Sequence, residues 1–299
     1  MKIAITGSRG LIGSSLVPHL RSQGHQVIRV VRSSAAADEA LWDPARGNIE
    51  AEKLHGIEAA VHLAGAGVGD RRWSSHYKKV ILSSRVDGTS TLAKALSRLP
   101  VPPSVMVSAS AVGYYGVRGD EVLTEAAAKG TGFLSDVCAQ WESATQPAAA
   151  ADIRVVNLRT GVVLSRAGGA LKKQLPLFRL GLGAQLGSGD QQLSWITRRD
   201  VVAAILFLLD GSDLSGPFNL VAPQPVSNAT FTKELGRVLH RPARLVVPEV
   251  VLRFALGNEM ASEVLLASQR AMPERLLSAG FDFRDQALPG ALVTALQDR

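Results

Sequence analysis

A single cysteine, Cys138, stands in 299 residues. A lone thiol excludes an internal disulfide and a cysteine-based zinc cage, and its default role is that of a small buried hydrophobe. Long apolar runs are missing too: no stretch approaches the ~18 residues that a membrane helix needs. The N-terminus, MKIAITGSRG, meets glycine and arginine where a secretion signal carries a longer apolar stretch and a small-residue cleavage site, so the expected compartment is the cytoplasm. Aromatic residues are only 5% of the chain, and the six histidines, at 19, 25, 55, 62, 76 and 240, show no paired ligand spacing, so no metal site is expected. Acidic residues are in modest deficit, 26 against 33 lysines and arginines, for a net charge of +7. The basic residues are scattered and lack interleaved aromatics, which argues against a nucleic-acid partner.

What is present is a globular composition, 46% hydrophobic and 20% charged, on a chain long enough to bury a large core. KIAIT (2–6) is a β-rich run that leads directly into GSRGLIG, after which the helical periodicity of LIGSSLVPHLRSQG begins. Gly7, Gly10 and Gly13 form a G-x-x-G-x-x-G pattern between strand and helix. The first permits a tight turn, the second lets backbone N–H groups approach a pyrophosphate, and the third allows close helix–strand packing. Gly7, Ser8, Arg9, Gly10, Leu11, Ile12 and Gly13 are therefore the candidate dinucleotide-binding turn. The next strand, QVIRVV (26–31), ends in Val31 and Arg32 where an acidic residue would hold a free adenosine ribose. Arg32, Arg9, Ser33 and Ser34 can instead surround a 2′-phosphate, which points to NADP(H).

Strands and helices continue to alternate: IEAAVHLAG (57–65), a long helix over 73–99, PSVMVSASA, a helix in FLSDVCAQWESATQ, and the strand IRVVNLR. This order predicts an α/β fold, a Rossmann-type doubly wound parallel sheet with a smaller C-terminal lobe. Residues 1–165 form the expected nucleotide-binding domain, with 198–222 returning to it, and 166–197 with 223–299 form the cover. Ligands lie beyond the carboxyl ends of such strands. That edge carries the glycine turn, Leu63, Ala64 and Gly65, and the stretch VSASAVGYYG (107–116), whose crowded hydroxyls suggest proton chemistry. Trp73 and Trp195 are candidate walls of a substrate pocket, with plain core as the competing role. Arg159, at a strand end, is placed either to bind an anionic substrate or in a structural ion pair. Trp141 follows helical spacing as core, Glu142 beside it suits a structural pair, and Asp200 suits stabilisation of a helix N-terminus.

On ITGSRGLIG, HLAG, VSASA and LRTGVVL, in that order, the chain resembles the extended short-chain dehydrogenases/reductases, the NAD(P)-dependent epimerases and dehydratases of nucleotide sugars. RRW (71–73), SASAVGYYG, WE (141–142), FRLGLGAQLGSG and NLVAPQPVSN resemble more narrowly an atypical, epimerase-like subfamily. The resemblance implies a Tyr-x-x-x-Lys pair on the helix after VSASA, in which the lysine lowers the tyrosine pKa from ~10 and holds the nicotinamide ribose. No such pair exists: at the right spacing stand Phe133 and Val137. The family's helix asparagine corresponds to Arg85, which can supply the missing positive charge if it reaches inward, and its serine corresponds to Ser110. Tyr114 and Tyr115 are the candidate substitutes for the lost phenol.

These readings give an NADP(H)-dependent oxidoreductase or epimerase acting on a small polar carbonyl or hydroxyl compound, such as a nucleotide sugar. The alternative is a non-catalytic NADPH-binding redox sensor. The resemblance also raises a homodimer as the form of the protein; a small-molecule substrate is the expected partner.

Overall fold

A computed structural model describes residues 1–33 and 36–298; Ser34 lies outside the described residues. The main sheet contains β1 (Lys2–Thr6), β2 (Gln26–Val31), β3 (Glu39–Asp43), β4 (Asn48–Ile49), β5 (Ala59–His62), β6 (Val105–Ala111), β7 (Arg154–Thr160) and β8 (Gly216–Leu220). Their spatial order is β8-β7-β6-β5-β1-β2-β3-β4. Every pairing is parallel except that of β3 with the edge strand β4. The order reverses at β1, with β2 on one side and β5 on the other. Such a reversal opens a crevice at the carboxyl ends of the strands.

Alternation along the strands divides the core between two faces. Ile3, Ile5, Val61 and Val107 point to one, where Leu16 and Leu20 of α1 (Gly13–Ser22) cover them. Ala4, Ala60 and Met106 point to the other, beneath Leu92 and Leu96 of α2 (Ser75–Ser97). Ser74 caps α2, its hydroxyl accepting the Tyr77 N–H at 3.1 Å. α3 (Phe133–Ser143) packs against α2 through Val137, Tyr77 and Ile81.

A second core, built around Trp195, joins α4 (Gly169–Arg179), α6 (Asn228–Val238) and α8 (Leu288–Gln297). Between them in sequence, α5 (Arg198–Asp210) returns to the α1 face of the sheet, as does the Phe281–Phe283 pair from the C-terminal segment. α7 (Glu249–Leu256) lies at the surface of this lobe, with Phe254 exposed. Ser227 is the N-cap of α6, accepting the Thr230 N–H. Asp200 does more than sit in the first turn of α5. Its buried carboxylate accepts the N–H groups of Arg284 and Asp285 at 3.2 and 3.0 Å, pinning the C-terminal segment to α5, while Thr197 supplies the helix cap. Among the described residues, no helix is long and apolar enough to cross a membrane.

Candidate active site

The glycine turn is closed by sterics at both ends. Gly7 has φ +66°, and a Cβ there would lie 2.7 Å from the Leu63 carbonyl, so β1 and the β5 loop touch backbone to backbone. A Cβ on Gly13 would lie 2.3 Å from the Gly7 oxygen. Gly10 meets only the Gly7 oxygen, at 3.2 Å, and is otherwise open. The N–H groups of Leu11 and Ile12 have no acceptor among the described residues, as expected where a helix begins. Ser8 is buried in the turn.

Thr6 joins this turn to the β5 loop. Its Oγ1 accepts the N–H groups of Leu63 and Ala64, leaving its own proton for His62 Nδ1, 2.8 Å away. That network makes Nδ1 an acceptor and puts the imidazole proton on Nε2, which has no partner among the described residues. Full burial, reinforced by the charge of Arg85, pushes the His62 pKa down from 6.5 to about 3, so the ring is neutral.

Arg32 and Ser33 are exposed at the end of β2, and Arg32 has no hydrogen-bond partner among the described residues. Arg9, largely exposed, lies 3.5 Å from the carboxylate of Glu39, which is buried at the start of β3 and also binds Arg29 at 2.8 Å. Glu39 is an acidic residue the sequence reading missed: it stands on the strand after the one inspected.

Gly65 follows directly on the Leu63–Ala64 backbone that the turn touches. Gly65 faces Arg85, whose Cγ and Cζ lie 3.5 Å from a Cβ built there. The Arg85 guanidinium sits 4.8 Å over the Trp141 ring. Cys138, on the same face of α3, lies 3.6 Å from a Cβ built on Gly113; burial pushes its thiol up to about 12, so it is a protonated apolar group. Where the Tyr-x-x-x-Lys pair was sought, Phe133 and Val137 instead join Trp73, Val68, Tyr77 and Ile81 in an apolar cluster. Trp73 packs edge-on to Phe133 at 5.1 Å and donates its indole N–H to Val68 O, while the Tyr77 hydroxyl bonds Gly67 O. Loop 66–74 thereby folds down on α3. Glu263 caps α3 by accepting the N–H groups of Phe133 and Leu134, a long-range contact with no signal in the sequence.

The hydroxyls at the end of β6 and just beyond it take three different roles. Ser110, buried, donates to Glu142 Oε1 at 2.7 Å. Glu142 is held by Arg159 in two hydrogen bonds of 2.9 Å each. Burial opposes the Arg159 charge, but Glu142 and the Tyr115 hydroxyl more than offset it and raise its pKa. Arg159 is therefore the structural ion pair, its guanidinium already engaged by Glu142, Tyr115 and the Glu125 carbonyl. Tyr115 is fully buried and donates to Asn219 Oδ1 at 2.7 Å; burial raises its pKa, which leaves it a packed, protonated phenol. Tyr114 differs. Its ring lies 3.5 Å from the Arg159 guanidinium carbon, it is only partly buried, and its hydroxyl hydrogen-bonds none of the described residues. Trp195 is fully buried in the second core, its indole N–H on Gln224 O, and walls no cleft.

A glycine-closed turn at the switch point of a doubly wound parallel sheet defines the Rossmann-type class. The chain belongs to the NAD-dependent epimerase/dehydratase family, whose model matches residues 3–220, and a domain of unknown function (DUF1731) matches 247–295. It is 46% identical over 291 residues to the epimerase family protein Mb2239 of Mycobacterium bovis, covering 97% of this chain and 96% of that one. It is 34% identical to the human epimerase family protein SDR39U1 over 98% of each chain. A crystal structure of human SDR39U1 (isoform 2) with NADPH superposes with a TM-score of 0.92 at 32% identity, covering both chains fully. A nucleoside-diphosphate sugar epimerase from Corynebacterium glutamicum aligns with a TM-score of 0.81 at 38% identity, over 99% of this chain and 58% of that longer one.

Proposed function

We propose that the protein binds NADP(H) along the carboxyl edge of the sheet and is an oxidoreductase or epimerase of a small polar carbonyl or hydroxyl compound, of which a nucleotide sugar is one example. The glycine turn fits the cofactor: Gly10 leaves the turn open, and among the described residues the Leu11 and Ile12 N–H groups have no acceptor and Arg32 has no partner, which suits a 2′-phosphate. The NADPH in the human relative's crystal structure supports the same cofactor here. When bound, it supplies or takes the hydride.

The observation that carries an enzymatic role is the division of labour after β6. The Ser110 proton is committed to a carboxylate that Arg159 keeps charged, so Ser110 offers lone pairs to a ligand and can receive a substrate hydroxyl. The Tyr114 hydroxyl is the uncommitted group and is assigned the proton transfer at the reacting oxygen. Tyr115, Arg159 and Glu142 support these two. Trp73 lines the mouth, and residues 166–197 with 223–299 serve as the cover.

The apolar cluster at Phe133 and Val137 favours a second reading, a redox sensor that holds NADPH without turnover. A screen of small carbonyl compounds for loss of NADPH absorbance separates the two. With a turned-over compound, Tyr114→Phe is expected to lower kcat by about 10²-fold or more with NADPH affinity unchanged, whereas Arg32→Ala weakens NADPH by about tenfold and spares NADH. Full activity in both Ser110→Ala and Tyr114→Phe refutes the assignment of these hydroxyls, and NADPH binding without turnover across a broad screen favours the sensor.

A further inference from the structure

Of the buried Arg159 and Arg198 and the half-buried Arg85 and Arg154, all but Arg85 are compensated by groups among the described residues. Arg159 has the Glu142 carboxylate and Arg198 the Asp298 carboxylate, while Arg154 donates to three backbone carbonyls, those of Leu208, Leu209 and Leu214. Arg85 has one hydrogen bond, from Nη1 to Ile81 O of its own helix at 3.0 Å, and no carboxylate among the described residues. A guanidinium carries five N–H donors, and desolvating a cation without a counter-ion is costly. Burial accordingly lowers the Arg85 pKa, opposed weakly by Cys138 and Tyr77. The Trp141 ring offers a face for the cation but accepts no hydrogen bonds in the plane of the fork. The side chain lies against Gly65, its Cγ and Cζ 3.5 Å from where a Cβ on that glycine would stand.

Position supplies the missing acceptor. Gly65 continues the backbone of Leu63 and Ala64, on which the Gly7 turn rests, so Arg85 stands next along the edge from the phosphate-binding turn toward Gly113 and Tyr114. On α3, Phe133 and Val137 are apolar and packed against Trp73, Val68, Tyr77 and Ile81, so that helix supplies no cation at those positions. We infer that Arg85 is the cation that holds the nicotinamide half of the dinucleotide, donating from α2 to its ribose and adjoining phosphate oxygens in place of a lysine on α3. This deepens the proposed function and rests on it. A planar, permanently charged fork suits vicinal hydroxyls and phosphate oxygens better than a point charge does. The cost of burying Arg85 is then repaid on binding.

Two ligands and one stability measurement test this in the full chain. Isothermal titration with NADPH and with adenosine 2′,5′-bisphosphate, which lacks the nicotinamide half, is carried out on the wild type, Arg85→Met and Arg85→Lys. Arg85→Met is expected to weaken NADPH by about tenfold or more, leave adenosine 2′,5′-bisphosphate within about twofold, and melt at or above the wild-type temperature without ligand, because an uncompensated charge has been removed. Arg85→Lys recovers part of the NADPH affinity. Parallel loss of both ligands, unchanged NADPH affinity, or a lower melting temperature of ligand-free Arg85→Met overturns the inference and leaves Arg85 a packing residue. A wild-type protein that binds neither ligand removes the underlying cofactor reading itself.

Discussion

Acid should loosen this fold through one buried ring. His62 is 0% exposed, hydrogen-bonded among the described residues only through Nδ1, and faces Arg85 from α2 and Trp42 from β3. Burial and then the Arg85 charge hold its pKa at about 3 against 6.5 in the unfolded chain. Because the folded value is the lower one, the neutral ring's contribution is complete above pH 6.5 and is lost as pH falls toward 3. At about 1.4 kcal/mol per pH unit, moving from pH 7 to pH 5 costs about 2 kcal/mol through this group alone. Urea denaturation followed by tryptophan fluorescence measures it, with His62→Gln as the reference, since glutamine retains an acceptor for Thr6 and does not titrate. Buried carboxyls with raised pKa values, Asp200 and Glu125, work in the opposite direction but are common to both proteins and cancel. Wild type should lose about 2 kcal/mol more than His62→Gln between the two pH values. Equal losses would refute the neutral, buried imidazole and with it the hydrogen-bond assignment at Thr6.

Arg159→Met leaves the Glu142 carboxylate in a largely buried position with Ser110 as its remaining side-chain donor, and chemical denaturation should show a loss of about 3–5 kcal/mol; a loss below about 1 kcal/mol would mean that the pair is solvated. Gly13→Ala forces a Cβ to 2.3 Å from the Gly7 oxygen and 2.7 Å from Ser8 Cα, so the turn must open. NADPH affinity should fall by about tenfold or more in that variant, with far-UV circular dichroism retained, and wild-type affinity would show that the turn tolerates widening.

The parts legible in the sequence are those whose cause is local. β1, the glycine turn and α1 fall within 22 residues, and each is signalled by its own pattern: a β-rich run, three glycines, a helical period. The long helix α2, expected over 73–99, is of the same kind. β3 and β4 escaped because EALWD places glutamate and aspartate at its ends and reads as a loop; Glu39 is nonetheless buried there, beneath Arg29 and Arg9. Tyr114 and Tyr115 are adjacent and chemically identical, and only the tertiary packing makes one a buried strut and the other a partly exposed hydroxyl. Arg159 offered two roles at the sequence level, and the helix that brings Glu142 to it decided between them. Trp195 looked like a loop residue because its strand is three residues long, Trp195–Thr197; the core it enters is assembled from segments before and after it in the chain.

The missing Tyr-x-x-x-Lys pair is better described as a rebuilt helix face than as a deletion. A phenol and an ammonium on α3 would need a polar surrounding, and here that surface is covered by loop 66–74, with Trp73 against Phe133 and Val68 beside them. Reinstating one partner cannot reverse this. Phe133→Tyr would place a hydroxyl next to Trp73 and Val137 with no lysine at 137, and its pKa would stay near ~10 or rise with burial. On the proposed reading the charge is carried instead by Arg85 of α2, over Trp141, and the hydroxyl by Tyr114 in the segment after β6, whose ring is backed by Arg159. Trp141 supplies the face under Arg85, and the next residue, Glu142, anchors Arg159 and Ser110, so two consecutive positions at the end of α3 contact both groups. The helix that has lost the catalytic pair still sets the geometry of the site, one turn further along.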